Sequence, residues 1–293
     1  MPTPACRRSR ALVAIVWALV ALASATSAQA PPQEPSLLER VRASLASDEL
    51  IDERYTYRTM RRTYELSALG KLSPGPVRVF EVGPSPVDPG QIYRRLVAVD
   101  GRPLSEDEQR KRDEKHRAEA LKRLRETPSE HARRLQKETE EAQEARARLD
   151  DAMRVFAFER QGHEVVDGRS LLAVSVTPRP DVRTRTKAGK QMKKLRGRAW
   201  IDEAAGQLVR IEMEVVEDIS LGFGIIGHVD AGSRMMYRRA PQEDGTWAPV
   251  EARFTGSGAT LVFRQFALET WAKYTDYRPR GASNGTTQPA PAP

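Results

Sequence analysis

The stretch GRAWIDEAAGQLVRIEMEV, Gly197 to Val215, constrains the fold more than any other part of the chain. Val209, Ile211, Met213 and Val215 alternate with Arg210, Glu212 and Glu214, and before the turn Ala199 and Ile201 alternate with Arg198, Trp200 and Asp202. A period of two marks a half-buried β-strand, because successive side chains point to opposite faces of a sheet. Asp202 opens the connection, and Gly206 near its end can take the left-handed conformation that such hairpins often need. The segment therefore reads as a hairpin with one apolar and one charged face. The apolar face covers either ordinary core or a ligand.

Around this hairpin the pattern is strand-rich. Leu37, Leu38, Val41 and Leu45 form the stripe of a short amphipathic helix that Ser36 can cap. From Arg54 onward RYTYRTMRRTYEL, PVRVFEV and QIYRRLVAV read as strands separated by SPG and GPSPVDPG turns. A charged insertion, residues 105–153, then interrupts them. Ser105 with Glu108 makes one capping box, and Thr127, Pro128 and Glu130 make a second helix start, so two helices are expected, a solvated pair lying along the sheet. Strands resume at RVFAFERQGHEVV and continue to ATLVFRQFALETWAKYTDYR. Helix, strands, helical insertion and many more strands argue for an α+β fold with an antiparallel sheet.

The ends carry their own information. Arg7, Arg8 and Arg10 precede the apolar run Ala11 to Ala23, and SATSAQA follows, the pattern of a secretory signal peptide over residues 1–30. Cleavage is expected after Ala28 or Ala30, with Pro31 favouring Ala28. The run is shorter than the ~20 apolar residues that span a bilayer. Cys6, the only cysteine, lies inside this segment, so the remaining chain has no thiol, disulfide or cysteine to acylate. Loss of the three arginines lowers the formal charge from +8 to +5. For an exported protein this makes anionic lipid or acidic protein a better partner than nucleic acid. A folded domain is expected over 31–278, and residues 279–293 read as a disordered tail.

Motifs for chemistry are missing. Gly222, Gly224 and Gly227 in GFGIIG match the dinucleotide expression, but the strand-like HVDAGSRMMYRR follows where a helix is required. His116, His131, His163 and His228 show no metal-ligand spacing; His228 with Asp230 is the only local pair, and two solvated polar side chains beside a turn account for it. No G-x-S-x-G elbow occurs. The expectation is a protein without enzyme activity, cofactor or metal.

The run from Arg183 to Arg198 holds eight basic residues and no acid: Arg183, Arg185, Lys187, Lys190, Lys193, Lys194, Arg196 and Arg198. It reads either as a solvated loop or as a surface that docks on an anionic membrane or an acidic envelope protein. Phe156, Phe158, Phe254, Phe263 and Phe266 read either as plain core or as the wall of a cavity.

Several stretches together resemble the LolA-like family of exported lipoprotein-carrier proteins: the signal peptide, the short first helix, RAWIDEAAGQLVRIEMEV, GTWAPVEARF and the late YTDYR. YRRLVAVDGRPLSEDEQ followed by charged helices is similar to an uncharacterised branch of that family with a long helical insertion. The resemblance implies a strongly curved antiparallel sheet, an unclosed barrel, whose concave face holds acyl chains under a helical lid. It implies a non-catalytic periplasmic carrier of lipoproteins or other acyl-chain ligands. The candidate ligand contacts, apolar residues in strand alternation, are Phe156, Phe158, Ile211, Met213, Phe254 and Phe263, and a monomer is expected. An envelope sensor or scaffold with the same fold is the alternative, and a hydrolase with dispersed catalytic residues is a further one.

Overall fold

The computed structural model describes residues 36–66, 72–221, 227–260 and 264–280. Helix α1 (Leu37–Ala46), a 3-10 turn (Ser47–Leu50) and the single-turn α2 (Ile51–Arg54) lead into β1 (Tyr55–Leu66), β2 (Leu72–Pro84), β3 (Ile92–Val99) and the short β4 (Arg102–Pro103). Two long helices follow, α3 (Glu106–Leu124) and α4 (Pro128–Val155), then β5 (Phe156–Val166) and β6 (Arg169–Pro178). The small helix α5 (Lys187–Met192) precedes β7 (Leu195–Asp202), β8 (Gln207–Val215), β9 (Ile219–Leu221) and β10 (Gly227–Val229), and β11 (Arg234–Pro241), β12 (Trp247–Thr260) and β13 (Arg264–Pro279) complete the chain.

All strands join one antiparallel sheet of 13 strands with the path β4-β3-β2-β1-β13-β12-β11-β8-β7-β6-β5, and β10 bridges β12 to β9. β4 and β5 end the path without pairing to each other, so the sheet is unclosed and the class is α+β. The expected signal peptide, residues 1–30, and residues 281–293 of the expected tail lie outside the described residues. β13 runs to Pro279, and the Arg280 N–H donates to the Arg54 carbonyl.

The hairpin expected over residues 197–215 is β7–β8, with Leu195 opposite Val215 and Asp202 opposite Gln207. Gly206 takes φ 64° and Asp202 Oδ1 accepts the Ala205 N–H at 3.0 Å. One detail corrects the simple alternation. A bulge between Trp200 and Ile201 sets Leu208 opposite Ile201, so Leu208 joins the face of Met213 and Val215 while Val209 packs with Trp200 on the other face.

On one face, Val41 of α1 and Val155 of α4 pack against Leu172, Val174, Val176, Ala199, Ile201, Met213 and Val215. This is the helix-covered face. It continues into a tyrosine-rich cluster around Tyr55, Tyr57 and Val82, where the Tyr57 and Tyr277 rings stack 5.0 Å apart. On the opposite face Trp200 and Trp247 shield Leu171 and Ala173, and the guanidinium of Arg169 lies 5.3 Å from the Trp247 ring centre.

Both helices of the insertion open with complete capping boxes, Ser105 with Glu108 and Thr127 with Glu130. α3 docks on β3: the His116 ring stacks on Tyr93 at 3.7 Å and its Nε2 meets the Ser85 hydroxyl at 2.8 Å. Arg95 forks onto Asp113 and holds its carboxyl below the usual range, while burial and the bond to Asp113 push Tyr93 up to about 12. α4 behaves differently from the expected pair lying along the sheet. It is exposed through most of its first half, Leu135 included, and becomes buried only over its last turns, at Asp151 and Val155.

Candidate functional site

Strand register assembles an apolar row that no single segment of sequence displays. Phe158 faces Val176, Val176 faces Gly197, Gly197 faces Met213, Met213 faces Met235, and Met235 faces Phe254. The row crosses β5, β6, β7, β8, β11 and β12 on the helix-covered face. Ile211 lies two residues along β8 from Met213, and Phe156 lies two residues along β5 from Phe158. The rings of Phe156 and Phe158 meet edge-to-face at 6.5 Å. Register thus brings five of the six candidate ligand contacts onto one surface; the sixth, Phe263, lies outside the described residues.

Their exposures differ. Phe156 and Met213 are closed off at 6% each and belong to the packed core. Phe158, Ile211, Met235 and Phe254 are only partly buried. Met235, which sequence reasoning passed over, joins them because it faces Met213 on one side and Phe254 on the other. Its signal was present in SRMMYRR, where two adjacent methionines hid which one faces inward.

Gly197 sits in the middle of this row for a steric reason. A Cβ there would collide with the Glu212 carbonyl oxygen and with Met213 Sδ, which lies over the glycine. Gly197→Ala is therefore expected to cost about 1–3 kcal/mol through strand displacement, read as a fall in the urea midpoint. An unchanged midpoint would show that the two strands can separate freely at this point.

Behind the same row, on the opposite face, a cavity of about 660 Å³ opens between β7, β8, β11 and β12. Its walls carry Arg196, Arg198, Arg234 and Arg253 with Glu212 and Glu214, and Gly197, Met213, Met235 and Met236 line it as well. Carboxylates engage most of these arginines: Glu164 holds Arg198, Glu251 and Glu269 hold Arg253 at 3.2 Å, and Glu214 lies 3.9 Å from Arg196. Arg210 occupies Glu212 in turn. Ion pairs thus rim a cavity whose lining also carries methionine surface.

The basic run does not form one surface. Arg196 and Arg198 line the cavity between β7, β8, β11 and β12. Lys193 and Lys194 donate to the carbonyls of Pro180 and Asp218. Arg183, Arg185, Lys187 and Lys190 stand exposed on the loop and on α5. The loop is anchored by Asp151, fully buried at 0% exposure, whose carboxylate accepts the N–H groups of Arg185 and Thr186, the Thr186 hydroxyl and the Arg154 guanidinium. Gly189 allows this approach, since a Cβ there would strike the same carboxylate. Burial alone would push the Asp151 carboxyl up, and the four donors together hold it far below the carboxylate range.

A second buried ionic group pins the helices to the sheet. Arg239, 1% exposed, donates to Ser44 Oγ at 3.2 Å, to Gln207 Oε1 at 2.9 Å, to the Ser44 and Trp247 carbonyls, and to Asp48 at 2.7 Å. Tyr237 donates to the other oxygen of Asp48 at 2.7 Å. Burial pushes the Asp48 carboxyl up, against the pull of Arg239 and Tyr237.

GFGIIG connects β9 to β10, which pair antiparallel, and residues 222–226 of it lie outside the described residues. Among the described residues no helix is long and apolar enough to cross a membrane.

No family model matches the chain, and no curated protein matches it. Solved structures to which it is similar include a domain provisionally described as an outer membrane lipoprotein-sorting protein, from Vibrio parahaemolyticus, at 10% identity and a TM-score of 0.31, covering 83% of this chain and 94% of that one. A DUF1329 family protein from Desulfovibrio piger is similar at 12% identity and a TM-score of 0.28, over 83% of this chain and 94% of that one. A LolA superfamily protein from Nitrosomonas europaea is similar at 9% identity and a TM-score of 0.26, over 81% and 93%. Scores this low carry no argument by themselves, and the fold assignment stands on the strand order.

Proposed function

We propose that the chain is a non-catalytic periplasmic binding protein or carrier that holds an acyl chain, from a lipoprotein or a lipid, against the helix-covered face of its sheet. The observation that supports this reading is the apolar row from Phe158 to Phe254, in which Phe158, Met235 and Phe254, with Ile211 beside them, keep accessible surface next to closed core. Six adjacent strands give that row a length on the order of 24 Å. Each methylene laid against it is worth about 0.8 kcal/mol. Binding of this kind requires no reacting group and no cofactor. Export rests on the signal-peptide pattern of residues 1–30, with Ala28 or Ala30 as the cleavage point.

Delivery would use the exposed cations of the anchored loop. Arg183, Arg185, Lys187 and Lys190 stand on one short segment, and each cation near an anionic membrane contributes about 1 kcal/mol. The same anchored loop favours the second reading, an envelope sensor or scaffold that contacts a partner protein without carrying lipid. Solvent extraction of the purified protein followed by lipid mass spectrometry separates the two. A stoichiometric acyl lipid, depleted in a Met235→Gln variant that retains its circular dichroism, is the expected result. A lipid-free protein that also fails to take up added fatty acid would end the carrier reading.

A further inference from the structure

Pairing of Ile219 with Val229 in the β9–β10 ladder sets Asp218, one residue before β9, beside Asp230, one residue after β10. His228 lies two residues before Asp230 and shares its side of the strand. Ligand atoms of all three side chains fall within 4.8 Å of one another. The local sequence offers only the His228–Asp230 pair, and the fold supplies the third member across the ladder.

The surroundings fix the two carboxylates. The Ala231 N–H donates to Asp218 Oδ1 at 2.9 Å, and the Ser257 hydroxyl donates to Asp230 Oδ2 at 2.7 Å. His228 Nε2 lies 3.0 Å from Asp230 Oδ1. Lys194, the neighbouring cation, donates to the main-chain oxygen of Asp218. Two carboxylates held by outer hydrogen bonds and one imidazole thus converge on the same point, the arrangement by which second-layer donors orient metal ligands.

The geometry points to a divalent transition-metal site at Asp218, His228 and Asp230, of the Zn²⁺ type. One imidazole nitrogen with two carboxylate oxygens matches the donor preference of Zn²⁺ and its neighbours, whereas Ca²⁺ and Mg²⁺ take oxygen donors. Side-chain rotation of the half-exposed His228 and of Asp218 closes the remaining distance. A bound ion ties the chain entering β9 to the chain leaving β10. Ile219 and Val229 pack on the core cluster of the helix-covered face, so the ion would brace the hairpin where it meets that face. The site does not depend on the proposed cargo.

The test uses the full protein without an affinity tag, stripped with EDTA and titrated with ZnCl₂ by calorimetry, with Co²⁺ as a spectroscopic probe. A single saturable site with a Co²⁺ d–d band is expected. Asp218→Asn, which keeps the oxygen that accepts from Ala231, and His228→Ala should each weaken Zn²⁺ by more than about 10-fold, since even the outer partners of metal ligands are worth about 10- to 100-fold. His163→Ala, at the His163–Glu203 pair elsewhere on the sheet, should leave the affinity unchanged. Zn²⁺ should also slow amide exchange across Ile219–Leu221 and Gly227–Val229. Absence of binding, or equal affinity in the wild type and either site variant, overturns the assignment.

Discussion

Arg239→Ala is expected to cost about 3–5 kcal/mol, because it strands the partly buried Asp48 carboxylate, 17% exposed, without its cation and removes a fully buried guanidinium from its acceptors. Five acceptors, two of them main-chain carbonyls, lose a donor together. Since these acceptors belong to α1, the 3-10 turn, β8 and β12, the first helices should loosen from the sheet. The pH dependence offers an independent check. Burial already raises the Asp48 carboxyl, and loss of Arg239 raises it further. The deficit should therefore be greatest at neutral pH and shrink as falling pH protonates Asp48. Urea denaturation at several pH values measures this, and a deficit that grows toward acid would contradict it. Combining Arg239→Met with Asp48→Leu should recover much of the loss, since apolar replacement of a buried ion pair is often near neutral.

Asp151→Asn should lower stability by about 2–4 kcal/mol, because the amide presents a donor to groups that are themselves donors. The Arg185 and Thr186 N–H groups would then lie buried against it without full acceptance. The local consequence is specific. Once the anchor fails, the segment holding Arg183, Arg185, Lys187 and Lys190 should become a preferred trypsin site, while the wild type resists cleavage there. A folded-state carboxyl held below its ordinary value contributes stability that is present above the unfolded pKa of about 3.9 and is lost as pH falls through the folded value. Acid should therefore release this loop in the wild type as well, which amide exchange of residues 183–190 measured below pH 4 would detect. Unchanged proteolysis in the variant would show that Gly189 and the α5 packing hold the loop without the charge.

Local chemistry made some of this legible in advance. The β7–β8 hairpin followed from alternation and from Gly206, and both insertion helices followed from their capping boxes. Those features depend on residues a few positions apart. Asp151 is different: its partners lie 34 and 35 positions away, and in sequence it is one acid among many on a charged helix. Arg239 reads as a surface residue in SRMMYRR, yet its neighbours across the fold make it one of the least exposed side chains. Met235 and Met236 could not be told apart until register placed one on each face. Asp218 joined His228 only through ladder pairing. The basic run held three kinds of residue, exposed loop cations, the carbonyl-bonded Lys193 and Lys194, and cavity wall, because β7 begins within it at Leu195.

The outer margin of β5 has one further consequence. Among the described residues this strand ends the sheet and has a neighbouring strand on one side only. A straight, greasy rim of that length would template stacking of identical molecules into ribbons. Here the ladder slips between Arg160 and Gly162, Gly162 takes φ 105°, and Glu159 through His163 stand exposed with charges of both signs. An incoming strand would meet a kink and mismatched charges, so the sheet can stay open without polymerising.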